Sequence, residues 1–338
     1  MQFPIYSHPT LTVLVDDSDS FLKSLSFQLD PQLVSTTFYD SRSALAWLER
    51  QGGGRAGAPP LHVNYDTQNQ AQDQCNVAVD LERIYRIAER SERFATPAVL
   101  VVDYSMPQMN GIEFCAALRH LPCKKILFTG AADEKIAVNA FNRGLIDRYI
   151  QKSAVHALDT LEQEIAALQA DYFSARSETL RDLVVLHHYP FMRDAAIAAL
   201  ARELALSMGF VEHYIFPNPT GILFLDRDGK ATLMIIETEQ GMQAQYEIAR
   251  DSDAPPSLLD ALLERRVLPF FSDPYGDGMY ARGMGDNWHR YCAPPRLCQG
   301  QQLYFWALFE LPAHYFAAPV FSYAQFLRER HAPGAMAA

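Results

Sequence analysis

The sequence lacks any long apolar run and has few cysteines. No apolar stretch approaches the roughly 20 residues that a membrane-spanning helix needs, and no signal peptide opens the chain. The five cysteines, at positions 75, 115, 123, 292 and 298, show no disulfide-framework spacing. We therefore expect a cytoplasmic protein with reduced thiols and no membrane partner.

A basic surface is also missing. The formal net charge is −11, and the part from 171 to 338 carries 20 acidic but only 14 basic side chains. Because nonspecific binding to nucleic acid depends on clustered Lys and Arg, we do not expect a nucleic-acid partner. A basic helix-turn-helix, a Walker loop and the GGDEF, EAL and HD-GYP signatures of cyclic-dinucleotide enzymes are absent as well.

Four short runs in the first half, two of them rich in valine, each end on a reactive side chain. At 338 residues, with 49% hydrophobic content, the chain is long enough for two domains. Such runs are typical of parallel strands that are buried on both faces, whose carboxyl ends meet at one ligand-binding edge. The residues at these ends are Asp16 and Asp17 after 11–15, Asp103 after 97–102, Thr129 after 124–128 and Lys152 after 146–151.

This set of side chains predicts phosphoryl transfer. Three neighbouring carboxylates repel each other unless a cation is present, and oxygen-only ligands suit Mg²⁺. A carboxylate beside a divalent cation can act as a nucleophile towards phosphorus. The hydroxyl of Thr129 and the ammonium of Lys152 are suitable groups for contacting phosphoryl oxygens.

With Met106, Pro107 and Gly111 following Asp103, residues of about 10–160 resemble the receiver domain of two-component response regulators. The resemblance implies an α/β fold, a doubly wound, flavodoxin-like sheet of five parallel strands. It also implies that Asp103 accepts a phosphoryl group from a histidine kinase or a phosphotransfer protein. No enzymatic activity is expected beyond self-phosphorylation and self-dephosphorylation.

The resemblance implies a magnesium site as well. Asp17, Asp103 and the backbone carbonyl of Ser105 would bind Mg²⁺, and Asp16 would act mainly through water. These four residues are the expected metal-binding set.

The remaining family roles fall on three residues. Lys152 would pair with the phosphoryl group, Thr129 would move towards it, and Tyr149 would turn inward as the aromatic switch residue. One position departs from the family pattern, since Ser153 follows the lysine where the family usually has proline.

The predicted receiver, 1–154, contains an insertion at about 51–95. Asp17 and Asp103 are 86 residues apart, which is far longer than the family spacing. A surface loop is predicted for 51–75. An amphipathic helix is predicted for 77–94, from Val77, Leu81, Ile84, Ile87 and Ala88. This helix would either be a tolerated surface insertion, or cover a receiver face or meet a partner.

A linker helix is predicted for 155–189. Its apolar positions alternate in steps of three and four, as in a heptad seam: Leu158, Leu161, Ile165, Leu168, Tyr172 and Ala175. We expect this seam to pair two copies as a homodimer through 155–175. Packing of the same residues on the chain's own domains is the alternative.

The rest of the chain, 190–332, is predicted to be an α+β output domain, with a disordered tail at 333–338. The predicted elements are helices at 191–210, 255–271 and 322–330, a hairpin at 219–237, a glycine-rich loop at 273–287 and paired strands at 289–295 and 302–312. A faint resemblance to PAS sensor domains covers 210–312. It depends on three residues of the hairpin turn, Asp226, Asp228 and Gly229.

Three functions stay open for this output domain. It could be a module that binds a partner or small ligand, an enzyme without a recognisable motif, or an atypical DNA-binding regulator. A zinc site was also considered at His289, Cys292 and Cys298, with His213 or His187. That spacing matches no closed zinc site.

Overall fold

The computed structural model describes residues 3–53, 61–65, 75–130, 134–185, 189–272 and 278–331. The chain divides into two compact units. The parallel-sheet unit comprises Pro9–Ala58 and Glu92–Arg176, and the antiparallel-sheet unit comprises Met1–His8, Pro59–Ser91 and Ser177–Ala338. Among the described residues, no helix is both long and apolar enough to cross a bilayer.

Along the chain, segments of the antiparallel-sheet unit alternate with segments of the parallel-sheet unit. In chain order the strands are β1 (Tyr6–Ser7), β2 (Leu11–Val15), β3 (Ser35–Phe38), β4 (Leu61–Tyr65), β5 (Cys75–Val79), β6 (Pro97–Val102), β7 (Lys124–Thr129), β8 (Arg148–Gln151), β9 (Phe210–Phe216), β10 (Gly221–Asp226), β11 (Ala231–Thr238), β12 (Leu268–Pro269), β13 (Cys292–Ala293), β14 (Arg296–Gln299) and β15 (Leu303–Glu310). The α-helices are α1 (Asp19–Gln28), α2 (Ser41–Gly53), α3 (Glu82–Tyr85), α4 (Gly111–Ala117), α5 (Glu134–Asn142), α6 (Ala157–Val185), α7 (Ala195–Met208), α8 (Glu239–Asp251), α9 (Pro256–Leu263) and α10 (Tyr323–His331).

The parallel sheet confirms the predicted fold class. Its strand order is β3-β2-β6-β7-β8, and every neighbouring pair is parallel. All five residues of β2 are buried, which fits a sheet covered on both faces. Val15 lies opposite Val102, and the backbone N–H of Asp103 donates to the carbonyl of Val15 at 2.9 Å. The residues that follow β2 and β6 are therefore held side by side.

The helix after β6 begins at a glycine for a steric reason. A Cβ on Gly111 would lie 2.2 Å from the carbonyl oxygen of Asp103, so no larger residue fits without moving the backbone. Asn110 caps this helix, α4, by accepting from the N–H of Glu113, whose side chain accepts from the N–H of Asn110. Cap and glycine together fix the turn that follows Asp103.

Helix α6 packs within the chain on four of the six apolar positions that predict a dimer seam, Leu161, Ile165, Leu168 and Tyr172. Leu161 and Ile165 are 0% exposed and Leu168 is 1% exposed. Arg148 Nε donates to Glu164 at 2.6 Å, which joins the helix to β8 of the same unit. Since the chain itself buries these positions, the seam is not free for a second copy. The homodimer predicted through 155–175 loses its structural basis.

The antiparallel sheet has the order β1-β9-β10-β11-β15-β14. The predicted hairpin at 219–237 is confirmed by the pairing of β10 with β11. In its turn, the carboxylate of Asp226 accepts from the N–H groups of Asp228 and Lys230, both at 2.9 Å, and Gly229 has a φ of +85°. Turn chemistry thus accounts for the residues behind the PAS resemblance. An antiparallel sheet with helices agrees with the predicted α+β class.

The first residues do not belong to the receiver, as the predicted boundary of 1–154 had placed them. Tyr6 pairs with Tyr214, and the N–H of Ile215 donates to the carbonyl of Ile5 at 2.8 Å. Strand β1 thereby supplies backbone partners to β9 at the edge of the antiparallel sheet. The receiver sheet begins only at Leu11.

The insertion also differs from its prediction. Strands β4 and β5 pair as an antiparallel hairpin, so a loop across 51–75 is wrong, and the helix predicted for 77–94 is limited to α3 and two 3-10 turns, Arg86–Glu89 and Ser91–Ala95. After it, Ile84, Tyr85 and Ala88 are buried in the apolar core of the antiparallel-sheet unit. The Tyr85 hydroxyl donates to the carbonyl of Tyr315 at 3.1 Å. This part of the insertion is core structure of its unit, and residues 66–74 lie outside the described residues.

The predicted pairing of the last long strand, β15, with a strand at 289–295 is wrong. Strand β14 pairs with β15, whereas β13, within the predicted strand 289–295, pairs with β12. A tight turn selects the nearer partner, because the N–H of Gly300 donates to the carbonyl of Gln302 at 3.0 Å. The predicted helix at 255–271 ends at Leu263. Residues 273–277 of the glycine-rich loop and the tail at 333–338 lie outside the described residues.

Candidate functional site

Asp103 lies at the carboxyl end of the central strand β6 and is only 7% exposed. Its two carboxylate oxygens have different partners. Oδ2 accepts from the backbone N–H of Ser105 at 2.6 Å, and Oδ1 accepts from Lys152 Nζ at 2.7 Å. The carboxylate is therefore oriented from both sides, as a group held for reaction would be.

Lys152 joins the two acidic strand ends. Its Nζ donates to Asp16 Oδ2 at 2.5 Å as well as to Asp103, and its side chain is 21% exposed. Burial alone would lower the pKa of Lys152. The hydrogen bonds to Asp103 and Asp16 outweigh that effect and raise the pKa above its ordinary value. The lysine therefore carries a full positive charge between two carboxylates at neutral pH.

The acidic pair is split between a buried and an exposed position. Asp16 is 4% exposed, and its Oδ1 accepts from the N–H of Ser18 at 2.9 Å, whereas Asp17 is exposed to solvent. Within the described residues, no three His, Cys, Asp or Glu side chains are grouped so that they could hold a metal ion. The ammonium of Lys152 bridges the two buried carboxylates and offsets one of their two negative charges.

The two predicted switch residues lie on the neighbouring strands. Thr129 ends β7, is fully buried, and its carbonyl accepts from the backbone N–H of Lys152 at 3.0 Å. Tyr149, on β8 opposite Leu127, is half-buried and packs against the apolar cluster on one face of the sheet. The structure thus brings Thr129 to the site edge and places Tyr149 behind it.

One residue that contacts the site, Phe21, was not predicted from the sequence. Phe21, in the first turn of α1, has its ring centroid 4.2 Å from Lys152 Nζ. An aromatic residue five positions after the first aspartate was the available signal, but its contact with a lysine 131 positions later is a property of the fold.

The zinc alternative does not agree with the structure. His213 Nε2 donates to the carbonyl of Pro4 at 3.1 Å, and its ring stacks on Phe3 with centroids 4.2 Å apart. Burial lowers the pKa of His213 to about 4 and raises the pKa of the Cys292 thiol to about 12. The neutral histidine is therefore a packed side chain. His187 lies outside the described residues.

The chain is similar to a family of known proteins. The model of the response regulator receiver domain matches residues 67–166, a stretch that contains Asp103, Thr129 and Lys152 but not the acidic pair. Over its whole length the chain is similar to the response regulator LqsR of Legionella pneumophila. The two are 30% identical, 98% of each chain is covered, and the TM-score is 0.78. The chain belongs to the response regulator family.

Two further structures are similar over about half of the chain. An adenylate cyclase from Rhodopirellula baltica is 21% identical, covering 51% of this chain and 98% of that one, with a TM-score of 0.34. The receiver domain of Francisella response regulator 1452 is 15% identical, covering 47% and 96%, with a TM-score of 0.31. The sequence matches no curated protein.

Proposed function

We propose that this chain is a phosphorylation-dependent switch of a two-component phosphorelay and that Asp103 is the phosphoacceptor. The observation that carries this proposal is the bridge of Lys152 between Asp103 and Asp16 at the strand ends. A carboxylate oxygen of Asp103 would attack phosphorus, and the donor's leaving group would depart with the electrons of the broken bond. The product is an acyl phosphate on Asp103.

Lys152 would stabilise the new negative charge. Before transfer, its Nζ lies 2.7 Å from Asp103 Oδ1, which is a short charge-assisted hydrogen bond. After transfer, the same ammonium can pair with a phosphoryl oxygen while Asp16 continues to hold it from the other side. The hydroxyl of Thr129 is the neutral donor at the same edge. When this hydroxyl moves towards the phosphoryl group, the side chain of Tyr149 behind it would turn inward.

Magnesium would complete the site. The donors available are oxygens only, from Asp17, Asp103 and the carbonyl of Ser105, with Asp16 acting through water, and this donor set suits Mg²⁺. When bound, the ion would neutralise charge on the phosphoryl oxygens. The phosphoryl group would come from a histidine kinase or a phosphotransfer protein, and such an exchange would occur in the cytoplasm.

For the antiparallel-sheet unit we propose a binding function rather than catalysis. Its buried acidic side chains serve the fold: Asp194 accepts from the N–H groups of Ala196 and Gln301, and Glu212 accepts from the Tyr214 hydroxyl at 2.5 Å. The acidic balance of this part of the sequence disfavours DNA as the partner. Its partner would be a protein or a small ligand, selected by the state of the receiver.

The test is phosphorylation of the full chain by acetyl phosphate with Mg²⁺. Wild type should acquire acid-labile phosphate, and Asp103→Asn should acquire none. Asp17→Asn should weaken Mg²⁺ binding, and so raise the Mg²⁺ concentration needed for phosphorylation, far more than Asp19→Asn, a matched change in the first turn of α1, where Asp19 pairs with Lys23. Phosphate on the Asp103→Asn protein would contradict the proposal.

A further inference from the structure

The ammonium of Lys152 has a third neighbour besides the two carboxylates. Its Nζ lies 4.2 Å from the centroid of the Phe21 ring. The face of an aromatic ring carries negative potential and attracts a cation within about 6 Å, more strongly where water is partly excluded. With a side chain that is only 21% exposed, Lys152 is partly desolvated.

Phe21 is itself fixed relative to the acidic pair. Its backbone N–H donates to Ser18 Oγ at 3.3 Å, and the N–H of Ser18 donates to Asp16 Oδ1 at 2.9 Å. Asp16 Oδ2 accepts from Lys152, which lies over the Phe21 ring. These four contacts connect Phe21, Ser18, Asp16 and Lys152 in a ring, and they hold the backbone of Phe21 close to the lysine.

Packing of helix α1 does not depend mainly on this ring. Leu22 and Leu25 are 2% and 3% exposed and anchor the helix, whereas Phe21 is half-buried. The Phe21 ring also approaches Phe128, the residue before Thr129, with centroids 6.2 Å apart. The ring is therefore close both to the lysine and to the strand that carries the predicted hydroxyl switch.

We propose that Phe21 is a positioning residue that holds the ammonium of Lys152 at the strand-end edge through its ring face. A ring face attracts the charge without fixing the direction of any N–H bond. It can therefore keep Nζ in place while the lysine exchanges an oxygen of Asp103 for an oxygen of the phosphoryl group. This inference rests on the proposed function of Asp103.

The first experiment compares phosphorylation rates of full-length variants with acetyl phosphate and Mg²⁺. Phe21→Leu keeps an apolar side chain but removes the ring, and it should slow phosphorylation about three- to tenfold, the range expected from losing a partly desolvated cation–π contact. Phe21→Trp should restore the rate. Phe27→Leu, a matched change at an 89% exposed position of the same helix, should have no effect.

A second experiment separates the ring's electronic effect from its shape. Replacing Phe21 with phenylalanines of increasing fluorine content weakens the ring potential and changes the packing little. The rate should fall in step with fluorination. A Phe21→Leu protein that folds normally and reacts at the wild-type rate would overturn the proposal, and so would a fluorinated series without a trend.

A third readout does not depend on phosphorylation. Because the ring holds the ammonium in place, the side-chain order parameter of Lys152, measured by NMR relaxation, should be lower in Phe21→Leu than in wild type and restored in Phe21→Trp. If wild type fails to accept phosphate, the proposed function fails while this relaxation measurement still tests the contact. An unchanged order parameter in Phe21→Leu would refute the positioning role by itself.

Discussion

The two units use their buried charged side chains differently. In the parallel-sheet unit, Asp16, Asp103 and Lys152 come from the ends of three strands and meet each other. In the antiparallel-sheet unit, Asp194 and Glu212 are each tied to groups of their own surroundings, a helix N-terminus with a turn in one case and a tyrosine hydroxyl in the other. The first arrangement is a shared site and the second is a set of separate structural contacts.

This difference explains why the sequence predicts a reaction for the parallel-sheet unit but not for the antiparallel-sheet unit. Parallel strands place their carboxyl ends at one edge, so polar residues there converge whatever their distance along the chain. Antiparallel strands end alternately at opposite edges, so polar residues at their ends are dispersed. The predictions below test two points. The function of the parallel-sheet unit should depend on side chains that meet at the strand ends, and the buried charged groups of the antiparallel-sheet unit should affect only its stability.

The largest effect is expected inside helix α6. Ile165 is 0% exposed, so Ile165→Asp would bury an unpaired charge and should cost about 4–5 kcal/mol of unfolding free energy, enough to unfold many domains. Urea denaturation of Ile165→Asp and of Ala166→Asp, at a neighbouring exposed position, provides the comparison. A stable, folded monomer obtained from a wild-type dimer would instead restore the predicted seam.

The next effect should occur at the turn after Asp103. Gly111→Ala would place a Cβ 2.2 Å from the carbonyl oxygen of Asp103, and backbone must move to accept it. We expect a loss of about 3 kcal/mol, the upper end for overpacking, and slower phosphorylation. Gly130→Ala, which would meet no atom within 4 Å, should retain its melting temperature. Equal stability of the two variants would contradict the role given to Gly111.

The site could be predicted from sequence because its signals are local. Strands β2 and β6 are apolar runs, and Asp16 and Asp103 mark the points where they stop, whereas Thr129 and Lys152 end runs that also contain charged residues. Such a polarity change needs no knowledge of the partner strand. The contact of Phe21 with Lys152 could not be predicted, since it depends on where α1 lies relative to the sheet.

The elements that were mispredicted lack a local signal that decides between structures. In the stretch Cys75–Val79, alternating apolar residues fit a strand, but Val77 and Leu81 also fit a helix, and a short window cannot separate them. Strand β1 has only two residues and joins the antiparallel sheet through backbone hydrogen bonds, which no side-chain pattern indicates. The choice of β14 over β13 as partner of β15 depends on a turn at Gly300, which no pattern of apolar residues reveals.

A smaller effect is expected from pH in the antiparallel-sheet unit. Burial lowers the pKa of His213 from 6.5 to about 4, so between these values the unfolded chain binds a proton that the folded chain does not. Unfolding free energy should therefore fall as pH decreases from 6.5 to 4, by about 2 kcal/mol for this partly buried ring. In denaturation experiments at a series of pH values, His213→Phe should lose this part of the pH dependence of the unfolding free energy. An unchanged slope would contradict the assignment.

The smallest effect has the opposite sign. Burial raises the pKa of Glu237 from 4.5 to about 7, so the folded chain holds the extra proton and stability should fall as pH rises through this window. Glu237→Gln should be more stable than wild type by about 1 kcal/mol at pH near 8 and equal to it at pH near 4, after allowing for partial exposure. Glu203→Gln, at an exposed position of α7, should show no such difference in melting temperature.

Localisation of the phosphoryl group on the protein tests the central claim most directly. Full-length protein would be treated with acetyl phosphate and Mg²⁺, the acyl phosphate trapped by borohydride reduction, and the modified peptide identified by mass spectrometry. The convergence of Asp16, Asp103 and Lys152 predicts modification of Asp103 alone. Modification of Asp16 or Asp17 in its place, or of no residue under conditions that phosphorylate another receiver, would contradict the account.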